Sequence, residues 1–170
     1  MKKPFSLLFE MNKDLVDKTV RKQVKRNKGI IYGGQALNKQ VSGFLTKDTS
    51  DYDIMIKKPA QNAKTTERKL DRTLGGDYFY TKPARHRGTT KLIAVGGDNR
   101  RNTEDDFTIA DYTRPRNKMP YKTINGERYE TLKHIEENRK QILSNPQNKY
   151  RWEKDRDVLN RIKAERMLRR

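Results

Sequence analysis

Two aspartates, Asp51 and Asp53, stand one residue apart in the run Asp51-Tyr52-Asp53-Ile54-Met55-Ile56. Polar and apolar residues alternate there, which predicts a half-buried strand with Tyr52, Ile54 and Ile56 facing one way and Asp51, Asp53 and Met55 the other. Residues i and i+2 of a strand share a face, with backbones about 6.5–7 Å apart. Two carboxylates so placed can grip the same pair of cations, and magnesium favours such hard oxygen ligands. Phosphoryl or nucleotidyl transfer uses this arrangement, because two ions about 3.5–4 Å apart hold a triphosphate and stabilise both attacking and leaving oxygens. Upstream, Gly33-Gly34 closes the apolar run Gly29-Ile30-Ile31-Tyr32, and Gln35 to Val41 resumes a helical spacing through Ala36, Leu37 and Val41. That order reads as strand, tight turn and helix, where bare backbone N–H groups and a helix N-terminus can approach phosphate oxygens. A glycine pair alone is more often just a turn. The ordered combination with the aspartates is the stronger signal.

The elements that must position these residues are legible in outline. Leu15, Val16, Val20 and Val24 recur about one turn apart, which predicts an amphipathic helix over 12–27 with a strongly basic outer face. Pro59 suits a helix start and Gly75-Gly76 a stop, giving a helix over 60–75. Strands are expected over 77–82, 89–95, 106–113 and 121–126, and helices over about 127–144 and 148–169, divided at Asn145-Pro146. The later strands leave no room for crossover helices, so the expected class is α/β (α+β): a small mixed, largely antiparallel sheet with flanking helices and a helical C-terminal segment. Residues 1–126 are expected to form the core with its basic N-terminal helix, and residues 127–170 a helical extension packed on it.

A chain of 170 residues with 32% hydrophobic and 36% charged residues can build one core. Its formal charge of +18 attracts polyanions and makes nucleic acid the first partner to consider. Arg85 and Arg87, flanking His86 in a turn, and Arg100 and Arg101 in the polar loop after Gly96-Gly97 are candidate phosphate contacts, since guanidinium forks suit phosphate. There is no cysteine, which excludes disulfides, thiolate metal sites and cysteine nucleophiles. The two histidines have no metal-ligand spacing. Trp152 reads as core and Lys154 as a solvated surface lysine. The run Phe5-Ser6-Leu7-Leu8-Phe9 is too short for a signal-peptide core, and no segment reads as a membrane anchor, so a cytoplasmic protein without a membrane partner is expected.

The run Ile30-Ile31-Tyr32-Gly33-Gly34-Gln35-Ala36-Leu37-Asn38, followed by Thr49-Ser50-Asp51-Tyr52-Asp53-Ile54, resembles the signature of the DNA polymerase beta-like nucleotidyltransferase superfamily. More closely it is similar to the catalytic core of poly(A) polymerases of poxviruses and other large DNA viruses. In that family a later strand supplies a third carboxylate, and Ile109-Ala110-Asp111-Tyr112-Thr113-Arg114-Pro115 resembles that segment, which favours Asp111. Strand alternation offers Asp106 instead if Phe107 and Ile109 mark the core face. The resemblance covers about residues 28–160, and Gly34-Gln35 stands where many members place glycine-serine.

The resemblance implies a metal-dependent nucleotidyltransferase that moves a nucleoside monophosphate from a nucleoside triphosphate to a hydroxyl, with a nucleic-acid 3′ end as acceptor. Asp51, Asp53 and Asp111 would hold two magnesium ions, manganese being able to substitute, and Asp111 would help deprotonate the acceptor. Gly33, Gly34, Gln35 and Ser50 would line the nucleotide. A viral relative would work in the host cytoplasm or virion, and a protein partner or larger assembly could complete so short a chain. The alternative is a non-catalytic nucleic-acid-binding or structural protein that retains the fold.

Overall fold

The computed structural model describes residues 5–49 and 51–170. Helix α1 runs over Phe5–Arg26, starting seven residues before the sequence pattern suggests. Then follow β1 (Ile30–Tyr32), α2 (Gly33–Gln40), a short 3₁₀ turn, β2 (Tyr52–Met55) and α3 (Pro59–Leu74). Strands β3 (Phe79–Pro83), β4 (Thr89–Ala94), β5 (Phe107–Thr113), β6 (Tyr121–Ile124) and β7 (Glu127–Glu130) precede α4 (Leu132–Ser144), a second 3₁₀ segment and α5 (Trp152–Leu168).

The seven strands form one sheet in the order β3-β4-β5-β2-β1-β7-β6. Four of its six pairings are antiparallel, while β1–β7 and β2–β5 are parallel. The architecture is the expected mixed α/β arrangement with a largely antiparallel sheet and a helical C-terminal part. One element differs in kind. Residues 127–130, read from their spacing as the first turn of a helix, form β7 and pair with both β1 and β6. The helix begins one residue after the strand, where the Thr131 side chain accepts a hydrogen bond from the His134 backbone N–H as its N-cap. Position 126 thus lies in the β6–β7 turn, inside the sheet.

Alternation assigns the two faces. Tyr52, Ile54, Ile56 and Tyr112 are buried on the side covered by α1 and α3. The α1 stripe of Val16, Val20 and Val24 is buried, the Tyr112 hydroxyl meets Thr66 Oγ1 of α3 at 3.0 Å, and Gln23 of α1 bonds Asn62 of α3. Asp53 and Asp111 alternate with Tyr52 and Tyr112 and therefore emerge on the opposite face. Helices α2, α4 and α5 pack on one another at that side, burying Ala36, Leu37, Ile135, Val158 and Ile162. Among the described residues no helix is long and apolar enough to cross a membrane.

Candidate active site

The register of the central strands builds a row of side chains across the sheet. Tyr32 of β1 stands opposite Asp53 of β2, Asp53 opposite Asp111 of β5, and Asp111 opposite Lys91 of β4. Asp51, just before β2, completes a cluster in which one carboxylate oxygen from each of Asp51, Asp53 and Asp111 lies within 4.8 Å of the others. All three are half-buried.

That Asp111 and not Asp106 stands in this row follows from an irregularity. Between β4 and β5 the register shifts, so that Leu92 pairs with Ala110 but Ile93 pairs with Thr108, leaving Ile109 as the extra residue of a bulge. The bulge resets the alternation: Ile109 and Ala110 are buried in succession, and Asp111 turns to the face of Asp53. Asp106 lies outside the cluster. It accepts hydrogen bonds from the Tyr80 hydroxyl at 2.6 Å and the Gly96 N–H at 3.0 Å, fastening the 96–105 loop.

Gly33 sits at φ +66, and a Cβ there would lie 2.6 Å from Asp53 Oδ2, so the carboxylate occupies the space that a side chain would fill. At Gly34 a Cβ would fall 2.6 Å from Thr49 Cγ2. The turn is held by buried Glu130 at the end of β7, whose Oε2 accepts the Gly33 N–H at 3.1 Å while Oε1 pairs with His134 Nδ1 at 2.6 Å. Gln35 donates to the Thr49 carbonyl at 3.4 Å, bracing the segment that leads into Asp51. Ser50 lies outside the described residues.

The electrostatics suit a cation. Burial pushes the Asp53 carboxyl up to about 6, and the neighbouring Asp51 and Asp111 add to that rise against the opposing pull of Lys154 and Arg139. Burial also raises Asp111, opposed first by Lys91. Asp111 Oδ1 is buried 3.5 Å from Lys91 Nζ, at the long limit of a hydrogen bond, and has no closer partner. Three acids crowded together and an under-coordinated buried oxygen are the donor set a hard divalent ion requires. The residues present therefore fit magnesium or manganese.

The cluster opens into a cleft of about 1370 Å³ lined by Gly33, Gly34 and the three aspartates on one side. Basic groups from three other regions face them: Lys47, the turn residues His86 and Arg87, and Arg139, Arg151 and Lys154 from the C-terminal helical part. Lys154, read from sequence as a solvated lysine, is solvent-exposed but within the cleft and close enough to act on Asp53. Arg139 and Arg151 carry no local sequence signal. Both are held by Asp155, which is fully buried and lies 3.3 Å from Arg139 Nη1 and 2.8 Å from Arg151 Nε. Of the arginines singled out from sequence, Arg87 lines the cleft and Arg85, Arg100 and Arg101 do not. Arg101 pairs with Asp77 at 2.7 Å and lies over the Tyr80 ring.

Asp155→Ala is expected to cost roughly 3–5 kcal/mol of stability, since it leaves two guanidinium groups beside a buried, uncompensated site. The urea midpoint measures it, and an unchanged midpoint would show that Asp155 does not hold the two arginines.

No protein-family model and no curated protein sequence matches the chain. Solved structures do resemble it. The Megavirus polyadenylate synthase superposes with a TM-score of 0.74 at 19% identity, covering 91% of this chain and 32% of that one. JHP933 from Helicobacter pylori superposes at 0.50 with 12% identity, covering 81% of this chain and 58% of that one. The chain thus spans about a third of the length of the Megavirus protein. With a seven-stranded mixed sheet, an aspartate row on its central strands and this superposition over nine-tenths of its length, the chain has the nucleotidyltransferase fold.

Proposed function

We propose that this chain is a divalent-metal-dependent nucleotidyltransferase that moves a nucleoside monophosphate from a nucleoside triphosphate to the 3′ hydroxyl of a nucleic acid. The observation that carries this reading is the convergence of Asp51, Asp53 and Asp111 against the Gly33-Gly34 turn at the floor of a basic cleft. A protein that only bound phosphate would gain nothing from three acids there, because they repel its ligand.

Asp51 and Asp53 are assigned to the metal of the incoming triphosphate, and Asp111 to the acceptor side. Magnesium or manganese bound by them would neutralise charge on the triphosphate and on the departing pyrophosphate. The first-turn amides of α2 after Gly33 have no intrahelical acceptor and are free to meet phosphate oxygens. Gly33 itself is committed to Glu130, which fixes the angle at which α2 presents those amides. Lys154 and Arg139, already near enough to influence Asp53, supply positive charge for the triphosphate on the side opposite the sheet. Gln35, which is tied to Thr49 where relatives place a serine, is assigned to bracing the loop. Direct in-line displacement needs no covalent enzyme intermediate, so a chain without cysteine can perform it.

The acceptor is tested by incubating the protein with magnesium, each labelled triphosphate in turn, and RNA, DNA or no primer. Label is expected on a nucleic-acid end with the natural sequence and none with Asp51→Ala/Asp53→Ala. Equal labelling by the two proteins, or no labelling under any condition, would sink the catalytic reading.

A further inference from the structure

On the far side of the sheet from the aspartates, α1 and α3 present a second concentration of charge. Between Lys18 and Lys28 the sequence holds six cations and no acid. Lys18, Lys22 and Arg26 recur every fourth residue, a stripe about 6 Å per step along α1, and all three are exposed. Lys69 of α3 joins them, its Nζ donating to Gln23 Oε1 at 2.6 Å, and exposed Arg72 continues the row one turn on.

Asp14 stands exposed one turn before Lys18, at the end of the stripe away from Arg26, and the acids nearer the centre are engaged elsewhere. Glu67 pairs with Lys64, Asp71 accepts the Tyr78 and Phe79 N–H groups, and Asp17 is hydrogen-bonded to Tyr52. Among the described residues, Lys22, Arg26 and Arg72 make no ion pair. Burial lowers the Lys69 ammonium, and Arg26 and Lys22 lower it further, so the cluster is self-repelling until an anion reaches it. The chain keeps cations there that its own acids do not balance.

We infer that the α1–α3 face, with Lys22, Arg26 and Lys69 at its centre, is a docking surface for the phosphate backbone of a nucleic acid, separate from the cleft. A lipid surface fits it less well. A helix that lies on a membrane inserts an apolar face, and the exposed large apolar side chains Phe44, Tyr121, Tyr150, Met167 and Leu168 lie neither on the 12–26 stretch of α1 that carries the stripe nor on α3. Nor does α1 over residues 12–26 or α3 carry an exposed aromatic for base stacking, so binding there is to phosphates and independent of sequence. Because the sheet separates this face from Asp53, a strand bound there leaves the cleft open and serves as a tether.

The test is fluorescence anisotropy of a labelled single-stranded RNA with the full chain over a series of salt concentrations. Each phosphate that a cation neutralises adds about 0.7 to the slope of log affinity against log salt, so Lys22→Gln/Arg26→Gln/Lys69→Gln is expected to flatten that slope by about 2. Lys22→Gln/Arg26→Gln, which keeps the Lys69–Gln23 hydrogen bond, is expected to flatten it by about 1.4. A control of equal charge, Lys118→Gln/Lys133→Gln/Lys163→Gln, is expected to leave the slope unchanged. Equal slope changes in the two triple variants, or none in either, overturns the inference. So does a patch variant that keeps its RNA slope but loses adsorption to phosphatidylserine vesicles. Asp51→Ala/Asp53→Ala should bind RNA with the natural slope, so failure here is distinguishable from failure of the catalytic reading.

Discussion

Asp53→Asn is expected to make the metal-free protein more stable and to remove the proposed transferase activity, two large effects of opposite sense from one carboxylate. The Asp53 carboxyl is raised to about 6 in the fold, against an ordinary aspartate value near 3.8. A raised carboxylate binds its proton more tightly when folded, so the stability it contributes is complete below about pH 4 and lost as pH rises through about 6. At neutral pH that loss approaches about 3 kcal/mol as a ceiling, because Asp51 and Asp111 share the repulsion. For a chain of this size each kcal/mol moves the midpoint by about 2–4 °C. Thermal melts without metal should therefore show the variant above the natural protein at pH 7.5 and the gap closing toward pH 4. Added magnesium should raise the midpoint of the natural protein and leave the variant unmoved. Transfer should fall at least about a thousandfold, the rate equivalent of about 4 kcal/mol. A variant that melts lower than the natural protein at pH 7.5 would show that the acids do not oppose one another.

Gly33→Ala is expected to damage the same site through the backbone. Alanine at φ +66 costs about 1–2 kcal/mol, and its Cβ would lie 2.6 Å from Asp53 Oδ2, which must move. The displaced carboxylate no longer lines up with Asp111, so transfer should fall about as far as in Asp53→Asn while stability drops instead of rising. Gly43→Ala is the matched control, since a Cβ there meets nothing within 4 Å. It should change stability by less than about 0.5 kcal/mol and leave activity intact. An active Gly33→Ala protein would separate the glycine turn from the acid cluster.

How much of this was legible in the sequence depended on how local the signal was. The Asp51–Asp53 pair and its strand could be read from alternation, because burial of Tyr52, Ile54 and Ile56 fixes the face of the acids within six residues. The row Tyr32–Asp53–Asp111–Lys91 could not, since it rests on the register of β2 against β5, strands more than fifty residues apart. Alternation counted from Phe107 pointed to Asp106 because the bulge at Ile109 is invisible to a period-two pattern. Tyr129, Leu132 and Ile135 were spaced like a helix, yet Tyr129 belongs to β7, and Thr131 as the N-cap was the residue that could have divided them. Lys154 read as a surface lysine because its own helix does leave it exposed. Only the docking of α5 beside the sheet turns that exposure toward Asp53. Glu130, the clamp on Gly33, gave no signal, since its partner lies 97 positions away.

Whether the aspartate cluster performs nucleotidyl transfer is tested most directly by where label goes when the triphosphate is marked on one phosphate at a time. With magnesium and a nucleic-acid acceptor, the α-phosphate label is expected to join the acceptor while the γ label leaves as pyrophosphate, with neither transferred by Asp53→Asn. Transfer of the γ label to the acceptor, or equal α-label transfer by the natural and Asp53→Asn proteins, would contradict the assignment.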